Sequence, residues 1–582
     1  MHDPAATLAG VAPSAPMAVG PVLGRPGRLA ALLLAAAGFL AGPHAALGAV
    51  APRPKLVVVL VVDQMRADYL DRYGHQWTSG LKRLTEQGAW YRQAAYPYFN
   101  TVTCAGHATI STGTVPATHG MILNGWWDRQ AGAMRTCTDD PEFPIVSYGA
   151  PVNAGHSPNR VRVPAFADEL RTQTTPAPRV VALSMKPRSA ITLAGRRADA
   201  VVFAERGGLA TSSYYSREKV PWVERFIADN PPSAGEQAWS LRLPASAYLF
   251  DDAGLGERPR SPWTSSFPHP FGGPAAPGFL AAWAASPLTD DYLGRMARSA
   301  VDTLGLGKGP GIDYLAVGFS ALDGVGHAFG PRSHEVQDTL VRLDATIGAL
   351  LDHLDRAVGR DAYVVALSAD HGVSSIPEQA AADGLEAGRI VLEELARRVD
   401  EALRPAGIDK AVAQAVYTEL YFLPGVYERV AADAGLLRRA ADALLSVPGV
   451  SRVLRGEELA RSAAAQDPIT RSAALSYDPE RSGDLVVLPR PYWIHVHEGS
   501  GPAATHGTGY GYDTRVPVVL MGPGIHPGHY LEAATPGDIA PTLAFLTGIT
   551  LARADGRVLT EALLPATAVT AAPKPVRPRP AS

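Results

Sequence analysis

Apolar residues fall along this chain in two rhythms. Continuous, β-branched runs recur at Lys55–Val62 (KLVVVLVV), Arg179–Ser184, Ala198–Ala204, Tyr314–Phe319, Ala362–Ala369 (AYVVALSA) and Val516–Met521. Runs that are apolar at every position predict strands covered on both faces, as in a parallel sheet. From Ser333 to Val358 the rhythm changes, with Val336, Leu340, Leu343, Ile347, Leu350, Leu354 and Val358 at spacings of three and four. This predicts a long amphipathic helix, with Gly359 as its C-terminal cap. Strands alternating with helices predict an α/β fold, a doubly wound and mostly parallel sheet flanked by helices.

Two stretches break the alternation. Residues 207–287 are irregular and rich in turn formers, including FPHPFGGP from Phe267, and predict a cap inserted over the sheet. Residues 380–475 hold two helical patterns around the strand-like Ala415–Leu423 and predict a small inserted α/β subdomain, after which Leu485–Leu488 returns to strand pattern. The Ala, Pro and basic residues of 566–582 carry no apolar period and predict a disordered tail.

Polar residues sit where the apolar runs stop. Asp63 ends the first run, Lys186 and Arg188 follow the second, Asp323 and His327 follow Phe319, Asp370 and His371 follow Ala369, and His506 precedes Val516 in the Gly-rich THGTG. In open α/β sheets ligands gather beyond the carboxyl ends of strands, so these residues are predicted to share one rim. Each alone has a plainer reading, as a helix cap or a solvated charge; their common placement favours a site. Three carboxylates and three imidazoles suit two zinc ions, three ligands each, with open positions left for chemistry.

The stretch Asn100–Asn124 (NTVTCAGHATISTGTVPATHGMILN) supplies the reacting group. Thr103 stands where a β-branched segment gives way to a small-residue helix, so its hydroxyl is expected at a helix N-terminus, where unpaired N–H groups and the macrodipole receive anions. A threonine that merely caps a helix is the plain alternative. Metal coordination would stabilise its alkoxide, and two metals would hold the attacking and leaving oxygens of an in-line displacement at phosphorus. Asn124, Lys186, Arg188 and the backbone N–H of Cys104 are expected to bind the non-bridging oxygens. Trp126–Arg129 reads as a rigid loop beside the site, whereas His107 and His119 read as helix packing or loop hydrogen bonds rather than ligands, and His495 and His497, alternating on a strand-like segment near the site, read as residues behind the ligands or simply exposed.

Composition narrows the partners. With 582 residues, 46% hydrophobic and a formal net charge of -3, the chain has a sizeable core and no basic excess arguing for nucleic acid. Arg25 and Arg28, the apolar run Leu29–Leu40 and the small residues ending at Ala49 have the layout of a secretory signal over residues 1–48, with cleavage after Gly48 and Met17 as an alternative start. That run is shorter than the ~20 residues of a spanning helix, so cleavage, a periplasmic or secreted location and no membrane anchor are expected. Only Cys104 and Cys137 occur. Export would permit a disulfide between them, two free thiols being the alternative.

Taken together, VVDQMRADYL at Asp63, TVTCAGHATISTG at Thr103, Asn124, Lys186-Pro187-Arg188, SALDGVGHAFG at Asp323 and His327, SADHG at Asp370 and His371, and THGTGYGYDTRVPV at His506 resemble the alkaline phosphatase superfamily. Within it the chain is similar to the threonine-nucleophile, phosphate-insensitive bacterial alkaline phosphatases, neighbours of the nucleotide pyrophosphatase/phosphodiesterases, over nearly all of Lys55 to Leu564. The resemblance implies one catalytic domain over 49–565. It implies one zinc on Asp323, His327 and His506, and another on Asp63, Asp370, His371 and the Thr103 oxygen. It also implies a phosphothreonine intermediate. A monomer acting on small phosphate monoesters is expected.

Three alternatives differ from this in residues the sequence shows. A diesterase would share fold, metals and threonine, but Lys186 and Arg188 occupy the positions of the Lys-x-Arg pair of the monoesterase branch and suit a dianionic terminal phosphate. A sulfatase would need Cys-x-Pro-x-Arg, whereas Cys104 is followed by Ala105, Gly106 and His107. An inactive zinc- or phosphate-binding protein would be expected to lack a ligand or the nucleophile, and none is missing.

Overall fold

The computed structural model describes residues 53–565 except 207, 274 and 277. The predicted signal segment and the predicted tail lie outside the described residues.

The continuous apolar runs do form the middle of a sheet. Leu56–Val62, seven residues all buried, pairs in parallel with Asp313–Phe319 on one side and Tyr363–Ser368 on the other. Val180–Ser184 joins Asp313–Phe319 in parallel, and Ala200–Glu205 joins Val180–Ser184 in parallel. The full sheet has eleven strands, running Gly528–Tyr530, Ala89–Tyr91, Val518–Met521, Tyr363–Ser368, Leu56–Val62, Asp313–Phe319, Val180–Ser184, Ala200–Glu205, Gly208–Ser212, Asp139–Ser147 and Gly155–His156. Its flanks are antiparallel: Val518–Met521 runs against both Tyr363–Ser368 and Ala89–Tyr91. A run of apolar residues does not encode its direction, so this reversal was not legible in the pattern.

Side chains alternate across the strands into two cores. Val58, Leu60 and Val62 pack with Leu340, Leu343, Ile347 and Leu350 on one face, whereas Val57, Val59 and Val61 pack with Ala190, Ile191, Ile539 and Leu543 on the other. The first set comes from the helix His334–Ala357, whose N-cap Ser333 accepts from the Val336 N–H and whose end is followed by Gly359 at φ 104°. No helix among the described residues is long and apolar enough to cross a membrane.

Within 207–287, helices Pro221–Asp229 and Phe279–Ala284 flank a short pairing of Ala238–Trp239 with His269–Pro270. Trp239 is fully buried and donates its indole N–H to Asp338 of the long helix at 2.7 Å. In the 380–475 region the expected single strand over Ala415–Leu423 is a hairpin, Val412–Val416 and Glu419–Phe422, turning at Tyr417 and Thr418. Leu485–Pro489 and Val450–Arg455 complete that four-stranded sheet, which carries Leu392–Leu403 and Ala434–Leu445 against it. Trp126–Asp128, expected in a loop, lies in the strand Gly125–Asp128 paired with Ala133–Thr136.

Candidate active site and metal-binding groups

Three parallel strands end within one residue register of each other, and their ends carry the candidate ligands. Asp63 directly follows Val62, and Asp370 and His371 follow Tyr363–Ser368 after one residue. Beyond Phe319 the chain enters the helix Ala321–Phe329, which puts Asp323 and His327 on one face, four residues apart. His506 arrives from the Gly-rich loop. The six residues gather as two groups whose ligand atoms lie within 4.8 Å of one another: Asp323, His327 and His506, and Asp63, Asp370 and His371.

Fit to a metal can be judged from the orphaned atoms. Asp63 Oδ1 and His371 Nε2 are buried without a hydrogen-bond partner, an expensive arrangement unless a cation completes it. The three histidines point the same way. Nδ1 meets a backbone carbonyl in each, His327 with Ala504 at 2.8 Å, His371 with Gly372 at 3.0 Å and His506 with Thr101 at 2.9 Å. A proton held on Nδ1 leaves the Nε2 lone pair facing the carboxylates. His327 Nε2 lies 3.2 Å and His506 Nε2 3.6 Å from Asp323 Oδ1, and His371 Nε2 lies 3.5 Å from Asp63 Oδ1. The donor set therefore fits two divalent ions.

Lys186 supplies positive charge between the groups. Its ammonium is 2.6 Å from Asp63 Oδ2 and 2.5 Å from Asp323 Oδ2. Burial pushes Asp323 up, but Lys186 and His327 outweigh it and hold the carboxyl well below its usual range. Burial and the nearby Asp370 push Asp63 well up. Burial also lowers His371 to about 3, so its imidazole is neutral, the ligating form.

Thr103 is the first residue of the helix Thr103–Thr112, with Val102 extended before it. It is buried, and its segment is tied to both groups. The Thr101 carbonyl meets His506, and one turn after Thr103 the His107 imidazole lies 3.2 Å from Asp370 Oδ2 and 3.0 Å from the Thr103 carbonyl. A Cβ at Gly106 would overlap the Asp370 backbone, so only glycine lets this helix approach the strand end so closely. Asn124 Oδ1 accepts the Cys104 N–H at 2.9 Å. The two expected phosphate contacts thus hold one another. Arg188 lies in the first turn of the helix Pro187–Ala194, its Nε buried and without a partner among the described residues. Cys104 and Cys137 are joined as a disulfide, Cα atoms 6.6 Å apart.

Three further residues belong to the site. Gln64 bridges the two groups, its backbone N–H donating to Asp370 Oδ1 at 3.0 Å and its amide to Asp323 Oδ1 at 2.8 Å, from a backbone at φ 68°. It stood beside Asp63 in the sequence with nothing to mark it. His107, expected to pack or hydrogen-bond rather than to ligate, does so against a candidate ligand, Asp370. Tyr417, at φ 50° in the hairpin turn, has a hydroxyl pushed up by burial, with Arg188, Asp323 and the Asn124 side chain among the groups that bear on it. His119 bonds Thr109 and the Met121 N–H, and His497 pairs with Glu393 at 2.7 Å, both away from the ligand groups.

The family model for type I phosphodiesterase/nucleotide pyrophosphatase matches residues 57–513. The chain is 32% identical over 526 residues to the alkaline phosphatase PafA of Elizabethkingia meningoseptica, covering 88% of this chain and 95% of that protein. It is 31% identical over 525 residues to the alkaline phosphatase PhoV of Synechococcus elongatus, covering 88% and 93%. The crystal structure of wild-type PafA superposes with a TM-score of 0.81 at 31% identity, over 88% of this chain and 99% of that one. The chain belongs to the type I phosphodiesterase/nucleotide pyrophosphatase family, within the alkaline phosphatase superfamily.

Proposed function

We propose that this protein is an exported alkaline phosphatase that hydrolyses small phosphate monoesters through a phosphothreonine at Thr103, with two zinc ions as cofactors. The observation that carries the reading is the pair of three-residue metal-donor groups converging on the segment of a buried threonine at a helix N-terminus. Relatives about a third identical over most of the chain are named alkaline phosphatases, which supports the same activity here.

In this reading Asp323, His327 and His506 hold one zinc, and Asp63, Asp370 and His371 with the Thr103 oxygen hold the other. Bound zinc supplies Lewis acidity, which lowers the pKa of a coordinated hydroxyl and offsets charge on phosphoryl oxygens. The Thr103 oxygen attacks phosphorus, the ester oxygen departs as an alcohol, and water then cleaves the phosphothreonine to regenerate the hydroxyl. The Asn124 NH2 group and the first-turn N–H groups other than that of Cys104 bind the non-bridging oxygens, while Lys186 and Arg188 neutralise the dianion of a terminal phosphate. The Cys104 N–H and Asn124 Oδ1 already bond each other, so Asn124 meets the substrate through its NH2 group.

A double displacement predicts its own stereochemistry. Phosphoryl transfer from an oxygen-isotope-chiral aryl phosphate to an added alcohol acceptor, catalysed by the zinc-loaded protein, should proceed with retention at phosphorus, and Thr103→Ala should lose about 10³-fold or more in kcat. Inversion, or a Thr103→Ala variant with near-normal turnover, would remove threonine from the nucleophile role. Phosphodiester hydrolysis is the second reading, favoured by the family model's own name and disfavoured by the cationic pair.

A further inference from the structure

The hairpin Val412–Val416 and Glu419–Phe422 turns without Gly, Asn, Asp or Pro, and the turn carries Tyr417 at φ 50°. Left-handed backbone at a bulky residue is unfavourable and persists only where the surroundings hold it. Here they do. Thr418 Oγ1 donates to Asn100 Oδ1 at 2.9 Å, and the Asn100 amide donates to Glu419 Oε1 at 3.1 Å. Glu419 Oε2 also accepts the Gly483 N–H at 2.7 Å, all of it buried. Asn100 is three residues ahead of Thr103, so the turn is fastened to the segment that carries the nucleophile.

What the turn delivers is a phenol. A Cβ at Gly507 would lie 3.2 Å from Tyr417 Cδ1 and 3.5 Å from Val102 Cγ1, so the ring packs on the backbone of Gly507, which also meets the residue before Thr103. Burial pushes the Tyr417 hydroxyl up, with Arg188, Asp323, the Asn124 side chain and Lys186 the groups that bear on it. Asp323 apart, those are the cations and the amide assigned to the phosphoryl oxygens. Since Asn124 Oδ1 is taken by the Cys104 N–H, the side of Asn124 toward Tyr417 is its NH2 group.

We propose that Tyr417 is a specificity-determining residue of the phosphate pocket. Its hydroxyl donates to a non-bridging phosphoryl oxygen beside Asn124 and Arg188, and its ring occupies the space that the second substituent of a diester would need. This rests on the phosphomonoesterase reading. It assigns a residue of the inserted subdomain, a region absent from every motif of the rim, to the choice of substrate. A hydroxyl donating to an anionic oxygen favours the dianion, and a ring against that oxygen excludes an ester group on it.

The test uses zinc-loaded wild type, Tyr417→Phe and Tyr417→Gly, an aryl phosphate, its methyl diester, and inorganic phosphate binding by calorimetry. Tyr417→Phe keeps the ring and should lower kcat/KM for the monoester about tenfold and weaken phosphate binding comparably, with the diester changed less than about twofold. Tyr417→Gly, which suits the left-handed backbone, should in addition raise diester kcat/KM about tenfold. Equal losses on both substrates, with phosphate binding unchanged, would make Tyr417 a structural residue and overturn the proposal. The direction of the wild-type preference tests the monoesterase reading separately, because the Tyr417 proposal is read from changes between variants. Were wild type inactive on both esters, undiminished phosphate binding in Tyr417→Phe would overturn the proposal, and weakened binding would support it.

Discussion

Two clusters of buried acids in this molecule make opposite use of the same side chains. At the strand ends, Asp63, Asp323 and Asp370 face three imidazoles and the Lys186 ammonium. Where the 238–271 segment meets the long helix, half-buried Glu257 and buried Glu335 carry unpartnered oxygens, Glu335 also meeting His269 Nε2 at 2.8 Å, and the neighbouring charges that shift them are other acids. Burial, then Glu335, pushes Glu257 up to about 8; burial, then Asp252 and Asp338, pushes Glu335 up to about 9. Orphaned carboxylate oxygens are therefore no sufficient sign of a metal. The strand-end group is distinguished by convergence, three donor atoms of mixed type within 4.8 Å, with each imidazole turned by a backbone carbonyl. The Glu257 and Glu335 cluster satisfies burial by keeping protons.

The contrast yields predictions of decreasing size. Asp323→Asn should lose about 10³-fold or more in kcat/KM, whereas Glu335→Gln should leave it within about twofold; comparable losses in steady-state assays would erase the distinction. Chelation should abolish activity and lower Tm by more than ~5 °C, both restored by zinc, because bound ions stabilise the native state by mass action. Differential scanning of the Glu335→Gln protein should show the same chelator response as wild type, since that cluster holds no ion in this account.

The smallest effect concerns pH. Glu335 binds its proton more tightly folded than unfolded, so its contribution is complete below the ordinary glutamate pKa and is lost as pH rises through about 9. One such group gives a slope of at most ~1.4 kcal/mol per pH unit. Urea unfolding between pH 5 and pH 9 should show wild-type stability falling and Glu335→Gln falling less steeply. Parallel pH profiles would mean that Glu335 is ionised in the native state at neutral pH.

The same contrast marks how far the sequence could be read. Asp63, Asp370 and His371 were legible because each ends a β-branched run, and Asp323 with His327 because their spacing fits one helical face. The strand Val518–Met521 was legible as a strand but not as antiparallel, since direction depends on where the chain returns from. The hairpin at Tyr417 read as one strand because its turn lacks turn-forming residues; its conformation is imposed by Asn100 and Gly483, distant in sequence. Gln64 carried no signal, and the bond between Asn124 and the Cys104 N–H is a matter of tertiary distance alone. Nothing in the sequence marks Glu257 or Glu335, because charge is ordinarily solvated and only packing shows otherwise.

The central claim is that the cationic pair makes this site a monoesterase. The most direct measurement is the ratio of kcat/KM for an aryl phosphate to that for its methyl diester, on zinc-loaded protein at alkaline pH, in wild type and in Arg188→Ala. The account predicts a ratio far above one that falls about 10- to 100-fold when Arg188 is lost, the loss falling on the monoester. A ratio below one, indifferent to Arg188, would contradict it and make the protein a phosphodiesterase.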